Sequence, residues 1–192
     1  MSLEREILLT GIGGQGVQLA AQVIARAAIR EQRHVMSLGT YGGSMRGGNT
    51  DSTLILGAEP ISSPPIVAHG WAAIGAHPRY WAGVRAKLRA GGVAVWNADL
   101  FGESGDAGAA RALPVAATAL ATRIGAAQAA ALVLVGALAG ATQLVALESL
   151  IAAMEEALPP YRREHAAKNA EALRVGYDTA PRGLASAWSA AA

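Results

Sequence analysis

The chain has 192 residues, 52% of them apolar but only 5% aromatic, with no cysteine and a net charge of +2. That length can bury one real core, and the lack of thiols excludes any iron–sulfur cluster, thiolate metal site or disulfide held by this polypeptide itself. Scattered arginines at so small a net charge argue against nucleic acid as a partner, and His34, His69, His77 and His165 show no metal-ligand spacing, so no metal site is expected.

The first predicted strand, residues 6–10, runs into Gly11-Ile12-Gly13-Gly14-Gln15-Gly16 and then into a helix over 17–28, giving strand, tight turn, helix. Glycine permits positive φ and lets a helix N-terminus come close to its neighbours, so the unpaired amides of the first turn can face an anion. Gly11, Gly13 and Gly16 fit the G-x-G-x-x-G spacing of a dinucleotide fold. Such a fold also needs an acid about 20 residues later, after the second strand, to hold the ribose hydroxyls. Here the second strand, 34–38, leads into Gly39-Thr40-Tyr41 without one, and Glu31 precedes it. A turn that only allows close helix–strand packing is the competing reading.

A second glycine loop follows, Tyr41-Gly42-Gly43-Ser44-Met45-Arg46-Gly47-Gly48-Asn49, and then a third strand over 50–56. Arg46 sits among glycines, where its guanidinium could grip a phosphate or carboxylate in bidentate fashion while backbone amides add donors, or could equally tie its own loop. Gly13 is expected to need positive φ. Residues 60–66, with three prolines, make an extended arm. A short strand is expected at 71–76, a helix over 79–89 opened by Pro78 and stopped by Gly91-Gly92, a strand at 93–97, a mobile loop over 98–109 and a last strand at 113–115.

From 116 to about 176 the chain reads as almost wholly helical. Gly136-Ala137-Leu138-Ala139-Gly140 suits closely packed helices, and Leu144, Leu147, Ile151, Met154 and Leu158 form one buried stripe. Residues 1–178 make one α/β domain, a three-layer α/β/α sandwich with a mostly parallel, Rossmann-like sheet and a helical C-terminal part. Residues 179–192 are a tail whose Trp188 either anchors on a partner subunit or is poorly ordered. No basic-then-apolar leader opens the chain. The most apolar stretch, 126–141, falls short of the ~20 residues a membrane span requires, so a cytoplasmic protein without membrane contact is expected. No nucleophile–base pair, carboxylate pair or metal cluster can be assembled, so no catalytic residue is assigned.

The two glycine loops about 30 residues apart, the Pro60-Ile61-Ser62-Ser63-Pro64 arm and the Val135-Gly136-Ala137-Leu138 helix together resemble the gamma subunit of the 2-oxoacid:acceptor (ferredoxin) oxidoreductases, which act on pyruvate, 2-oxoglutarate, 2-oxoisovalerate or indolepyruvate. The resemblance implies a subunit of an enzyme that oxidatively decarboxylates a 2-oxoacid on thiamine diphosphate, passes electrons through iron–sulfur clusters to ferredoxin or another acceptor, and usually forms an acyl-coenzyme A. It places thiamine diphosphate and the clusters mainly in alpha, beta and delta-type partner subunits, with none held by this chain alone and the isolated chain inactive or a homodimer. By position it carries cofactor- or substrate-facing roles onto Gly11, Gly13, Gly14, Gln15 and Gly16, and onto Tyr41, Arg46, Gly47, Gly48 and Asn49. Family members often carry an acid where Ser44 stands. A free-standing nucleotide- or coenzyme A-binding protein and a non-catalytic assembly module are the alternative readings.

Overall fold

The computed structural model describes residues 3–41, 47–62, 64 and 66–188, with Tyr41 defined by its backbone alone. Its centre is β1 (Glu4–Ile12), whose Ile7, Leu8, Leu9 and Thr10 are all buried because both faces of the strand are covered. β1 pairs antiparallel with β3 (Asn49–Gly57), which pairs antiparallel with β2 (His34–Tyr41). On its other side β1 runs parallel to β4 (Gly70–Gly75), then β5 (Leu88–Asn97) and β6 (Arg111–Val115). The order is β2-β3-β1-β4-β5-β6, and among these six strands only β3 opposes the rest.

The alternation of strand residues divides the core. Ile7, Leu9, Leu54, Leu56, Ile74 and Val95 face the larger core beneath α1 (Val17–Arg30), α5 (Ala130–Thr142), α6 (Leu147–Ala157) and α7 (Ala166–Thr179). Leu8, Ile55, Ala73, Ala94 and Trp96 face a smaller cluster under α2 (Trp81–Arg85) and α3 (Ala98–Phe101). This is the expected three-layer sandwich with its helical C-terminal part, which α4 (Ala117–Arg123) opens. α5 is buried all round, from Ala131 to Thr142, so it carries no polar face and acts as the spine of the helical layer. Its glycines let α7 lie directly against it. A Cβ at Gly136 would stand 2.1 Å from the Leu173 carbonyl oxygen, and one at Gly140 2.3 Å from that of Tyr177.

The smaller layer departs from the sequence reading. No helix spans 79–89: Pro78–Tyr80 is a single 3-10 turn, α2 ends at Arg85, and Leu88 already begins β5. Gly91 and Gly92 therefore lie within the strand, where the register jumps from Gly70↔Leu88 to Ala72↔Val93. Gly91 takes the kink at φ 74°, and a Cβ on Gly92 would sit 2.4 Å from the Trp71 carbonyl. The first part of the stretch taken for a mobile loop folds instead as α3 and a further 3-10 turn, Gly102–Ser104, while residues 105–109 stay irregular. Phe101 meets Trp81 edge-on with ring centroids 5.6 Å apart, and the Trp81 indole donates to the Asp106 carbonyl at 2.8 Å.

Trp188 is packed rather than poorly ordered. It is anchored in its own chain: the indole donates to the Leu144 carbonyl at 2.8 Å, and the Arg33 guanidinium lies 3.9 Å from the ring centroid. Ala185 and Ala187 are buried beside it, and the Arg5 side chain donates to the Ala187 carbonyl.

Candidate functional site

The two glycine loops meet. The β1–β3 ladder ends at Ile12↔Asn49, and the pairing continues past it, with the Gly13 amide donating to the Gly48 carbonyl at 2.9 Å and the Gly47 amide to the Gly13 carbonyl at 3.5 Å. The second loop connects β2 to β3, and its described end, Gly47–Asn49, stands beside the β1–α1 turn at the C-terminal end of β1.

Within the first turn the glycines have separate jobs. Gly11 makes room, since a Cβ there would lie 2.8 Å from Val17 Cγ2. Positive φ falls on Gly14, at 101°, and Gly16, at 78°, and not on Gly13 as the sequence suggested. Gln15 serves the turn itself: its side-chain oxygen accepts from the Ile12 amide at 3.0 Å, and its own amide donates to the Ile12 carbonyl at 3.2 Å. Gly16 caps α1 without a side-chain bond, and no acid stands in the first turn. The opening amides of α1 are consequently left for an outside acceptor. Gly16→Ala places an L-residue in the left-handed region with only an ordinary 3.7 Å contact to Ala131. It should cost about 1–2 kcal/mol of strain, read as a lower denaturant midpoint at unchanged m-value.

Behind the loops lies a network built on Asp51. Thr10 Oγ1 donates to one Asp51 carboxylate oxygen at 2.7 Å and Asn49 Nδ2 to the other at 2.8 Å, so Asn49 is fixed at the foot of the second loop. Gln18 Nε2 donates to the Asp51 carbonyl at 2.9 Å while Ser52 Oγ donates to Gln18 Oε1 at 2.9 Å. One carboxylate and one carboxamide therefore tie β1, β3 and α1 together beneath both turns.

A cavity of about 410 Å³ opens on the helical side of the first turn. Gly13, Gly14 and Gly16 form one wall, the start of α5 with Gln128 another, and Arg162, His165 and Asn169 close it. A second cavity of about 170 Å³ shares Gly14 and Gln128 and lies at the ends of β4 and β5. There Asn97 Nδ2 donates to Thr118 Oγ1 at 2.8 Å. This is the switch point of the sheet, where strands on either side of β1 and β4 are wound in opposite directions.

Of the sequence-predicted residues, Gly11, Gly13, Gly14, Gln15 and Gly16 gather with Gly47, Gly48 and Asn49 at this edge. Arg46, Ser44 and the side chain of Tyr41 lie outside the described residues. Arg162, His165, Asn169, Gln128 and Asp51 escaped sequence reasoning, the first four because more than a hundred residues separate them from the turn. Asn169 left one trace, as a carboxamide on the otherwise apolar inward stripe of Ala170, Ala172 and Leu173.

The topology also accounts for the missing ribose acid. β3 is inserted between β1 and β2, so the end of β2 lies two strand spacings, roughly 10 Å, from the glycine turn. Glu31 is engaged elsewhere, accepting from the Ala146 amide at 2.7 Å at the head of α6.

Comparison with known proteins finds similar chains among the ferredoxin oxidoreductases. The model for pyruvate ferredoxin/flavodoxin oxidoreductase matches residues 6–179. The 2-oxoglutarate synthase subunit KorC of Methanothermobacter marburgensis is 28% identical over 91% of this chain and 95% of its own. Among solved structures, the keto/oxoacid ferredoxin oxidoreductase gamma subunit of Geobacter sulfurreducens is 25% identical with a TM-score of 0.77, covering 91% of this chain and 95% of its own. A 2-oxoglutarate:ferredoxin oxidoreductase from Magnetococcus marinus shares the fold at a TM-score of 0.82 and 17% identity, with 95% of this chain matching 32% of that one. The resemblance read from the glycine loops is borne out.

Proposed function

The chain belongs to the pyruvate ferredoxin/flavodoxin oxidoreductase family, and from that premise we propose that it works as the gamma-type subunit of a cytoplasmic, multi-subunit 2-oxoacid:ferredoxin oxidoreductase with its two glycine loops at an intersubunit cleft. Alpha- and beta-type partners, with a delta-type chain where one is present, hold thiamine diphosphate and the iron–sulfur clusters, for which this cysteine-free chain has no ligands. Decarboxylation and electron transfer belong to those partners. This subunit orients and shields, a contribution that acts through positioning and needs no proton transfer from it.

The observation that carries the reading is the family match over nearly the whole chain, joined to the backbone pairing of Gly13 with Gly47 and Gly48. That pairing makes one surface out of two loops, with the α1 amides and the flanking cavity beside it. No acidic side chain lines that cavity among the described residues, so the residues present fit an anionic group such as a phosphate of coenzyme A. The related Magnetococcus enzyme was solved with 2-oxoglutarate, coenzyme A and succinyl-CoA bound. Coenzyme A is the acyl acceptor under this proposal. No helix among the described residues is long and apolar enough to cross a membrane.

The test is Arg46→Ala. Turnover of the reconstituted complex should fall at least tenfold while the isolated subunit keeps its melting temperature, as expected where one charge-assisted contact of roughly 1.5–3 kcal/mol is removed from a binding loop. Full turnover in the assembled variant would overturn the role given to the second loop.

A further inference from the structure

The sheet ends in two unlike edges. β6 is only five residues long, and Pro114 within it has no amide to offer a further strand. The Arg111 side chain donates to the Leu184 carbonyl, so the C-terminal segment is tied to that edge. β2 is the opposite case. It runs for eight residues, pairs with β3 in unbroken register from His34↔Gly57 to Tyr41↔Thr50, and has no second strand beside it among the described residues. None of its residues is Pro, Lys, Arg, Asp or Glu, and no bulge turns it aside, so it lacks the proline, charge and kink that keep a bare edge from accepting a strand. His34, Ser37, Leu38, Gly39 and Thr40 are exposed. Leu38 leaves 44% of its surface to solvent, on the same face as half-buried Met36.

We infer that β2 is the docking edge for a second copy of this chain, the two β2 strands pairing antiparallel across a two-fold axis and joining two six-stranded sheets into one. Closure argues for this occupant. Because β6 is blunted, a copy added at β2 cannot be followed by another at the far edge, and association stops at two instead of running on into a filament. The strand also fits itself. A two-fold axis perpendicular to the sheet sets residues of equal parity opposite one another. Met36, Leu38 and Thr40 then meet their counterparts on the face of the smaller helical layer, and Val35, Ser37 and Gly39 meet theirs on the α1 face. Leu38 is covered, no like charges come face to face along the strand, and the alternate amides and carbonyls that point away from β3 gain partners. The inference goes beyond the subunit assignment and rests on the sheet edge alone, so either can fail without the other.

The experiment is sedimentation equilibrium on the full chain, with amide hydrogen exchange measured over the same dilution series. The chain should associate reversibly into a dimer and no further, and the β2 amides that do not bond to β3 should exchange more slowly as the dimer forms. Leu38→Lys and Thr40→Lys, both at exposed positions of the strand, should each weaken association about tenfold or more by bringing like charges together, while the far-ultraviolet circular dichroism stays that of the folded chain. Ala112→Lys, exposed on the blunted edge, should leave association unchanged. A monomer at every concentration, a dimer that survives both β2 variants, or one that Ala112→Lys dissociates would overturn the inference. Protection of the β2 amides that appears only when the other subunits are added would also overturn it, giving the edge to a different chain. A dimer formed through β2 by a chain that joins no complex would uphold the inference and refute the subunit assignment.

Discussion

Gly176→Ala is expected to lose about 3 kcal/mol or more of stability and to lower the melting temperature by roughly 6–12 °C. A Cβ at this position would lie 2.0 Å from the Val133 carbonyl oxygen and 2.8 Å from its carbonyl carbon. These are main-chain atoms of α5, so no rotamer can move them aside, and α5 and α7 must separate. Separation is costly because the two helices form the interior of the helical layer. Leu134, Leu138 and Leu173 are fully buried beside the crossing, and Gly136 and Gly140 repeat the same close approach from the other helix. Moving one helix therefore loosens several contacts at once, and Gly136→Ala should behave similarly. Thermal unfolding by circular dichroism checks both. Wild-type melting in the Gly176→Ala protein would mean that the helices do not cross backbone to backbone.

Truncation after Thr179 is the second large effect, at about 4 kcal/mol, because the removed residues close a charged site as well as an apolar one. Arg5 is only 6% exposed, and its side chain donates to the Ala187 carbonyl while the guanidinium stacks 5.0 Å from the Trp71 centroid. Burial, reinforced by Arg89 and opposed by Glu6, holds its pKa below the ordinary guanidinium value. Taking away an acceptor from a buried cation costs roughly 1.5–3 kcal/mol. Loss of the Trp188 indole from Arg33 and Leu144, with exposure of the surface under Ala185 and Ala187, accounts for the rest. Arg5→Met in the truncated chain should recover part of the loss, since it removes a buried charge that has lost one of its acceptors. Denaturant unfolding reads both. An unchanged midpoint in the truncated chain would show that the tail does not seal this end of the sheet.

The parts of the fold that follow local rules were legible in the sequence. β1, the glycine turn and α1 announce themselves by an apolar run, a cluster of glycines and a helical period. The Gly136 and Gly140 pair announces close helix packing. What stayed hidden depends on contacts across the chain. The helix expected over 79–89 yields to a strand because Leu88 pairs with Gly70 and a bulge at Gly91 and Gly92 absorbs the extra residues. The 98–109 stretch looks like a loop by composition, but Phe101 gives it a packing anchor in the Trp81 and Trp96 cluster.

The site divides in the same way. The residues of the two loops were visible, and their contact is a consequence of the β1–β3 register. The cavity wall from 162 to 169 was not visible, because nothing local ties Asn169 to Gly16. Glycine roles also moved. The sequence reading puts the positive φ at Gly13, whereas in the structure Gly14 and Gly16 carry it, Gly11 gives space and Gly13 bonds Gly47 and Gly48 just past the end of the ladder.

The central claim, that this chain serves a larger 2-oxoacid oxidoreductase, is tested most directly by capturing the tagged protein from its native cells. The eluate is assayed for thiamine diphosphate, iron and 2-oxoacid-dependent reduction of viologen. The account predicts that larger chains co-purify in fixed proportion with all three. A chain recovered alone, without thiamine, iron or activity, would contradict it.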